Sequence, residues 1–308
     1  GLRQKRVYYQ GLVCANWQRR RRLHPIQTDF LGKPRQTPTI IYNRFRGMTK
    51  NEQLRISLVQ ADIIWEDIDA NLAHFDKLLS QLPPTDVVLL PEMFSTAFSS
   101  RAQSLAEPIE GKTLHQVKAW AKQHQCAFIG SFIATEGDLY YNRGFFVKPD
   151  GDTTYYDKRH LFLGGEETYF TPGTSFPIIS YKDWNIALCI CYDLRFPVWL
   201  RNTKLRYDML AVIAEWPSNR QYIFEHLLVA RAIENQAYVC ACNRVGKDDN
   251  HLQYTGGSQV IDYRGRIIDR LTDCQEEIKT ITIQKYPLES MREKAPVWKH
   301  ADTFTLCE

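Results

Sequence analysis

The stretch Ile186-Ala-Leu-Cys-Ile-Cys191-Tyr-Asp-Leu-Arg-Phe-Pro197 decides how this chain is read. It is apolar up to Cys191 and polar directly after it, the pattern of a short buried β-strand that breaks into a loop carrying Asp193 and Arg195. A cysteine in a strand is ordinarily a small core residue. A thiol at the end of such a strand, facing a polar loop, is also where an α/β enzyme places a nucleophile. Residues two apart share a strand face, so Cys189 and Cys191 would point the same way. A reactive Cys191 therefore requires a turn of the backbone at the thiol.

Outward from this stretch, short β-rich runs alternate with amphipathic ones. Runs 54–60, 87–90, 127–132, 144–147, 184–191, 209–213, 237–243, 257–262 and 277–283 read as strands. Residues 68–82, 112–124, 197–204, 219–235 and 288–294 have helical spacing. Alternation of this kind predicts an α/β sandwich, its sheets covered by helices. No Pro/Gly/Ser linker, internal repeat or low-complexity tract interrupts 54–295, which predicts a single domain over 48–308.

The chain has 308 residues, 44% of them hydrophobic and 24% charged, enough for a sizeable core. No apolar run reaches the roughly 18 residues a membrane helix needs, so no membrane partner is expected. The eight cysteines lack disulfide-framework spacing, which favours a reducing, cytoplasmic setting.

The net charge of +4 is unevenly placed. Residues 1–47 hold eleven Lys/Arg against Asp29 alone, which leaves 28 basic and 34 acidic residues for 48–308. The main domain thus has no electrostatic case for binding nucleic acid. The basic extension 1–47 contains Arg19-Arg-Arg-Arg22, which suits a nucleic-acid arm or a transit peptide. It begins with Gly1, lacks Ser and carries Pro25, Pro34 and Pro38, while Met48 directly precedes the first good strand. The preferred expectation is translated upstream or added sequence without a catalytic part.

Two further strand ends complement Cys191. Val87-Val-Leu-Leu-Pro-Glu92 places a carboxylate, and Tyr155-Tyr-Asp-Lys158 an ammonium, just past short β runs. In open α/β sheets functional groups gather at such carboxyl ends. A thiol stays protonated at neutral pH unless a base takes its proton, so Glu92 can serve as base and later as acid. Lys158 can keep Glu92 ionised and stabilise an oxyanion. Attack on a carboxamide would release ammonia and leave a thioester for water to hydrolyse. Taken singly, a Glu or Lys after a strand is usually a solvated loop charge.

The segments Leu90-Pro-Glu-Met-Phe94, Asp157-Lys-Arg-His-Leu-Phe162 and Cys191-Tyr-Asp-Leu-Arg-Phe-Pro197 resemble, in this order, the three signatures of the nitrilase (carbon–nitrogen hydrolase) superfamily. The resemblance covers nearly all of the chain after Met48. It implies a four-layer α-β-β-α sandwich, a homodimer or higher homo-oligomer, and a catalytic Glu92, Lys158 and Cys191. A second glutamate often assists in that family shortly before a Pro-Gly; spacing favours Glu166 over Glu167, orienting Lys158 and the substrate amide.

Trp216-Pro-Ser-Asn-Arg220, Leu228-Val-Ala-Arg-Ala-Ile-Glu-Asn235, Asn243-Arg-Val-Gly246 and Arg292-Glu-Lys-Ala-Pro-Val-Trp298 are similar to the bacterial ω-amidase branch. That likeness implies a small-molecule substrate, the amide of a 2-oxo acid such as 2-oxoglutaramate or 2-oxosuccinamate. A carboxylate remote from the amide calls for a cation in the pocket. Arg195 and Arg220 are the candidates, with Trp216 beside them; Arg195 could instead pair with Asp193 or Glu234. Glu215, where relatives commonly carry Asn, would repel such an anion if it points inward. Other readings are an N-carbamoyl or aliphatic amidase, or a catalytically silent scaffold. Neither GxGxxG nor a P-loop occurs, so no cofactor is expected. The pairs Cys189/Cys191 and Cys240/Cys242 lie in apolar β runs, unlike the loop CxxC of structural zinc, so no metal is expected either. His160 reads as structural.

Overall fold

The computed structural model describes residues 52–306; the basic extension 1–47 lies outside them. One six-stranded sheet contains β1 (Gln53–Gln60), β2 (Val87–Leu89), β3 (Ala127–Glu136), β4 (Leu139–Val147), β5 (Thr153–Asp157) and β14 (Glu277–Gln284), in the order β14-β1-β2-β3-β4-β5. A second contains β6 (Ile178–Tyr181), β7 (Trp184–Ile190), β8 (Met209–Ala214), β9 (Tyr238–Asn243), β12 (Gln259–Ile261) and β13 (Ile267–Arg270), in the order β13-β12-β9-β8-β7-β6. The hairpin β10 (Val245–Lys247) and β11 (Gln253–Thr255) stands apart. In each sheet three neighbours run parallel, β1-β2-β3 and β7-β8-β9. Their carboxyl ends are the places that a doubly covered sheet leaves open for function.

Helices α1 (Ile68–Leu79), α2 (Ala102–Leu105), α3 (Lys112–His124), α4 (Glu166–Tyr169), α5 (Gln221–Asn235) and α6 (Lys285–Lys294) complete the unit. Asp67 caps α1 by accepting from the Ala70 N–H at 2.9 Å, and left-handed residues Gln125 and Gln236 end α3 and α5. Phe75 and Leu79 of α1 join Val117 and Trp120 of α3 over the outer face of the first sheet. Phe224, Leu228 and Ala232 of α5 pack on the second. This is the expected four-layer α-β-β-α sandwich, a single domain over the described residues.

Both sheets are buried on two faces, which explains why their central strands read as continuous apolar runs. Gly144 of β4 lies directly against β7 of the second sheet. A Cβ there would lie 2.7 Å from Leu188 Cδ2 and 3.1 Å from Ile190 Cδ1. Leu188 and Ile190 therefore face the first sheet, and Cys189 between them takes the opposite face.

The helix expected over 197–204 is absent. A 3₁₀ turn spans Cys191–Arg195, another spans Thr203–Leu205, and Lys204 and Leu205 have left-handed φ of 55°. Asn202 explains the difference: its Nδ2 donates to the carbonyls of Tyr207 and Asn235, and its Oδ1 accepts from the Tyr207 N–H. Such side-chain bonds offer the backbone an alternative to helix. The other four helices fall within a few residues of expectation. Strands β6, β10, β11 and β13 had no counterpart; they are three or four residues long, and most carry polar or exposed positions.

Candidate active site

Pro91 has no N–H to continue β2, so the chain turns and Glu92 projects from the strand end with no exposed surface. Its Oε1 accepts from Lys158 Nζ at 2.8 Å and from Asn142 Nδ2 at 2.8 Å. Its Oε2 accepts from the Glu215 N–H at 2.9 Å. Lys158 follows β5 and is tied to β4, its N–H donating to the Asn142 carbonyl at 3.0 Å. Its Nζ also donates to Glu166 Oε2 at 2.7 Å. Glu166, the first residue of α4, additionally accepts from the Phe162 N–H at 2.8 Å and from Asn142 Nδ2 at 3.0 Å.

Cys191 directly follows β7 and opens the 3₁₀ turn with the change of direction its reading required. Its φ is +43°, a left-handed value that costs a non-glycine residue strain. Continued alternation would have placed it on the face of Cys189; the turn instead sets Cys191 in the cleft lining beside Lys158, where the Glu92 charge acts on its thiol. Asp193 secures the turn. It accepts from the His160 N–H and Nδ1, each at 2.8 Å, and from the Tyr156 hydroxyl at 2.7 Å. His160 also stacks on Phe196 with centroids 3.6 Å apart, so it braces the turn rather than facing the thiol.

The charges in this buried cluster constrain one another. Burial works against the Lys158 ammonium, but Glu166 and Glu92 together hold it well above its ordinary value. Burial raises the Glu166 carboxyl, with Lys158 opposing. Burial and then the Glu92 charge push the Cys191 thiol well up, so the resting sulfur keeps its proton. A protonated thiol, an acceptor carboxylate and a fixed cation form a set able to attack a carbonyl carbon.

A small cleft opens onto Cys191, walled by Phe98, Phe162, Trp216 and Tyr254. Arg195 lies over the Trp216 ring at 5.1 Å and Arg220 over the Phe162 ring at 5.0 Å. Arg195 pairs with neither Asp193 nor Glu234; the latter binds Arg201 and Arg231.

Glu215 does not confront the cleft as a free anion. Its side chain has no exposed surface and its Oε2 accepts from Arg244 Nη1 at 2.9 Å. Arg244 continues to Asp62 and to the Ile63 carbonyl. Burial outweighs Arg244 and pushes the Glu215 carboxyl from 4.5 up to about 7. The native state thus keeps a proton that the unfolded chain has released, and native stability falls as pH rises between these values. Glu215→Gln has no such proton to lose. Its melting temperature relative to wild type is expected to climb from pH 5 to pH 8, and parallel melting curves would contradict this assignment.

Sequence reasoning missed Asn142, a polar residue in β4 that bonds both glutamates, and Arg244, the partner of Glu215. The run Leu139-Tyr-Tyr-Asn142-Arg-Gly-Phe-Phe-Val147 sets Asn142 beside a second polar residue, Arg143, so the first carried no distinctive signal. Cys189, Cys240 and Cys242 are buried in the core, and Cys242 donates to the Val59 carbonyl. Among the described residues no group of three or more His, Cys, Asp or Glu could hold a metal ion, and no helix is long and apolar enough to cross a membrane.

The profile of the carbon-nitrogen hydrolase family matches residues 55–294. Omega-amidase YafV of Escherichia coli strain K12 is 41% identical over 265 residues, covering 82% of this chain and 98% of that protein. The 2-oxoglutaramate amidase of Bacillus subtilis is 30% identical, covering 79% and 95%. A CN-hydrolase superfamily protein from Xanthomonas campestris, solved with an arsenic adduct in its active site, superposes with a TM-score of 0.81 at 39% identity, over 83% of this chain and 99% of that one. Signature order, strand-end placement and these matches agree, and the chain belongs to the carbon-nitrogen hydrolase family.

Proposed function

We propose that this chain is an ω-amidase that hydrolyses the terminal amide of small 2-oxo acid amides, such as 2-oxoglutaramate or 2-oxosuccinamate. The observation that carries the reading is the placement of Cys191 and Lys158 in the lining of a cleft that also carries Arg195 and Arg220, with Glu92 buried behind Lys158 and bonded to it. Each guanidinium rests on an aromatic face and forms no salt bridge among the described residues. Such cations suit a carboxylate remote from the reacting amide. The names of the Escherichia coli and Bacillus subtilis relatives point the same way.

In this reading Glu92 takes the Cys191 proton as sulfur attacks the amide carbon. Lys158 Nζ and the main-chain N–H after Cys191 stabilise the oxyanion. The C–N bond breaks as Glu92 returns the proton to nitrogen, releasing ammonia and leaving a thioester. Glu92 then deprotonates water, which attacks that thioester and frees the carboxylate and the thiol. Glu166 orients Lys158. Trp216 shapes the wall on which Arg195 rests.

The reading extends to a homodimer or higher homo-oligomer in the cytoplasm, with 48–308 as the hydrolase domain and 1–47 as a non-catalytic extension. Tyr222 and Ile233, both in α5 and at least half exposed, suit burial against a second copy.

Ammonia release from 2-oxoglutaramate, a simple aliphatic amide and an N-carbamoyl amino acid tests the substrate. The oxo acid amide is expected to lead in kcat/KM by at least about a hundredfold. Arg195→Ala and Arg220→Ala are expected to raise its KM by roughly tenfold or more while sparing kcat. Equal turnover of all three compounds would favour a broader amidase, and turnover of none a silent scaffold.

A further inference from the structure

We propose that Asn142 is a positioning residue for the base: its carboxamide donates one N–H to Glu92 and one to Glu166, keeping both carboxylates ionised beside a single lysine and leaving Glu92 Oε2 as the atom that takes the Cys191 proton. The inference rests on the thiol–base pair proposed above.

The geometry allows one assignment of the amide. Asn142 is wholly buried, and the same Nδ2 lies 2.8 Å from Glu92 Oε1 and 3.0 Å from Glu166 Oε1. The flipped amide would set its own carbonyl oxygen against two carboxylate oxygens, which cannot donate to it when ionised. Both N–H groups are therefore spent on the carboxylates. The remaining Oδ1 is buried and has no hydrogen-bond partner among the described residues. A buried acceptor without a donor is costly. Its retention argues that the two bonds made by the nitrogen outweigh it.

The oxygens of Glu92 become distinct in consequence. Oε1 already accepts two hydrogen bonds, from Lys158 and Asn142, whereas Oε2 accepts one, from the Glu215 N–H. Oε2 thus has the acceptor capacity left for the thiol proton. The charged and titratable groups around this point are Lys158 after β5, Glu166 in α4, Cys191 after β7, and Glu215 after β8 with its partner Arg244. One ammonium faces two carboxylates here, so without further donors the pair would tend to share a proton, as adjacent carboxylates do. A proton held there would disable the base. The main chain of Asn142 reinforces the arrangement, because its carbonyl accepts from the Lys158 N–H at 3.0 Å.

The test is the pH dependence of Cys191 alkylation by iodoacetamide, read by mass spectrometry on the full chain, alongside kcat/KM for amide hydrolysis. Asn142→Leu removes both donors and the orphan acceptor together. A carboxylate stripped of a donor takes up a proton more readily. The acid-side inflection of alkylation is therefore expected to move to higher pH by about one pH unit. Asn142→Ser keeps one hydroxyl donor and is expected to show a smaller displacement in the same direction; it carries the test if the leucine variant does not fold. A merely structural role would lower the yield of folded protein and leave the inflection in place, and an unmoved inflection in a folded variant overturns the proposal. Alkylation needs no amide substrate. A displaced inflection in a protein that hydrolyses none of the amides would keep the Asn142 assignment and discard only the substrate reading.

Discussion

Replacing Cys191 by alanine is expected to remove essentially all ammonia release, lowering kcat by at least about 10⁴-fold with little change in melting temperature. The effect is large because no neighbour can substitute for the sulfur. Cys189 lies on the other strand face, and His160 is committed to Asp193 and Phe196. Glu92 can activate water, but nothing places water where the sulfur stood. Stability should hold because the substitution removes one sulfur that touches the cleft and relieves no buried charge. Cys191→Ser is the sharper companion. It keeps the shape, yet a hydroxyl is far harder than a thiol for Glu92 to deprotonate, so it too should fall by orders of magnitude. Substantial turnover by a folded alanine variant, with ammonia followed by a coupled assay, would end the thioester mechanism.

Replacing Lys158 by methionine is expected to abolish activity and also to destabilise the protein by about 3–5 kcal/mol, a fall of roughly 10 °C in melting temperature for a domain of this size. Lys158 has no exposed side-chain surface and bonds both Glu92 and Glu166. Its loss leaves two buried carboxylates facing each other without a counter-ion. The remedy is specific. Adding Glu166→Gln to the methionine variant removes one of those charges and should restore part of the lost stability, without restoring hydrolysis. If the double variant melted no higher than the single one, uncompensated charge would not be the cause of the loss.

Much of this site was legible because strand ends are written in the sequence. Taken singly, Glu92 after Pro91 reads as a loop charge and Cys191 as a core residue; only three such ends together, in the order of the family's signatures, single them out. The turn at the thiol could be anticipated because strict alternation would have pointed it away from any partner. Asn142 was not legible in this way. Its role depends on β4 running antiparallel to β3 and β5, so that it meets Glu92 and Glu166 at once, and no local pattern encodes that register. Glu215 drew notice as an anion in an awkward place. Its partner became visible only in the structure: Arg244 stands 29 positions onward, just past the neighbouring strand β9. The 197–204 segment misled for a different reason: its spacing is helical, but the side chain of Asn202 competes for the backbone.

The two sheets also divide the chemistry. Glu92, Asn142, Lys158 and Glu166 come from the first half of the described chain, and Cys191, Glu215 and Arg244 from the second, with Thr174 and Ser175 exposed on the segment between them. Neither half holds a working complement of groups. A backbone opened at that segment would yield two inert fragments whose reunion alone restores a reactive thiol, so this enzyme is built like a split reporter, in which turnover registers the rejoining of the two halves, with β14 of the second fragment pairing again with β1 of the first.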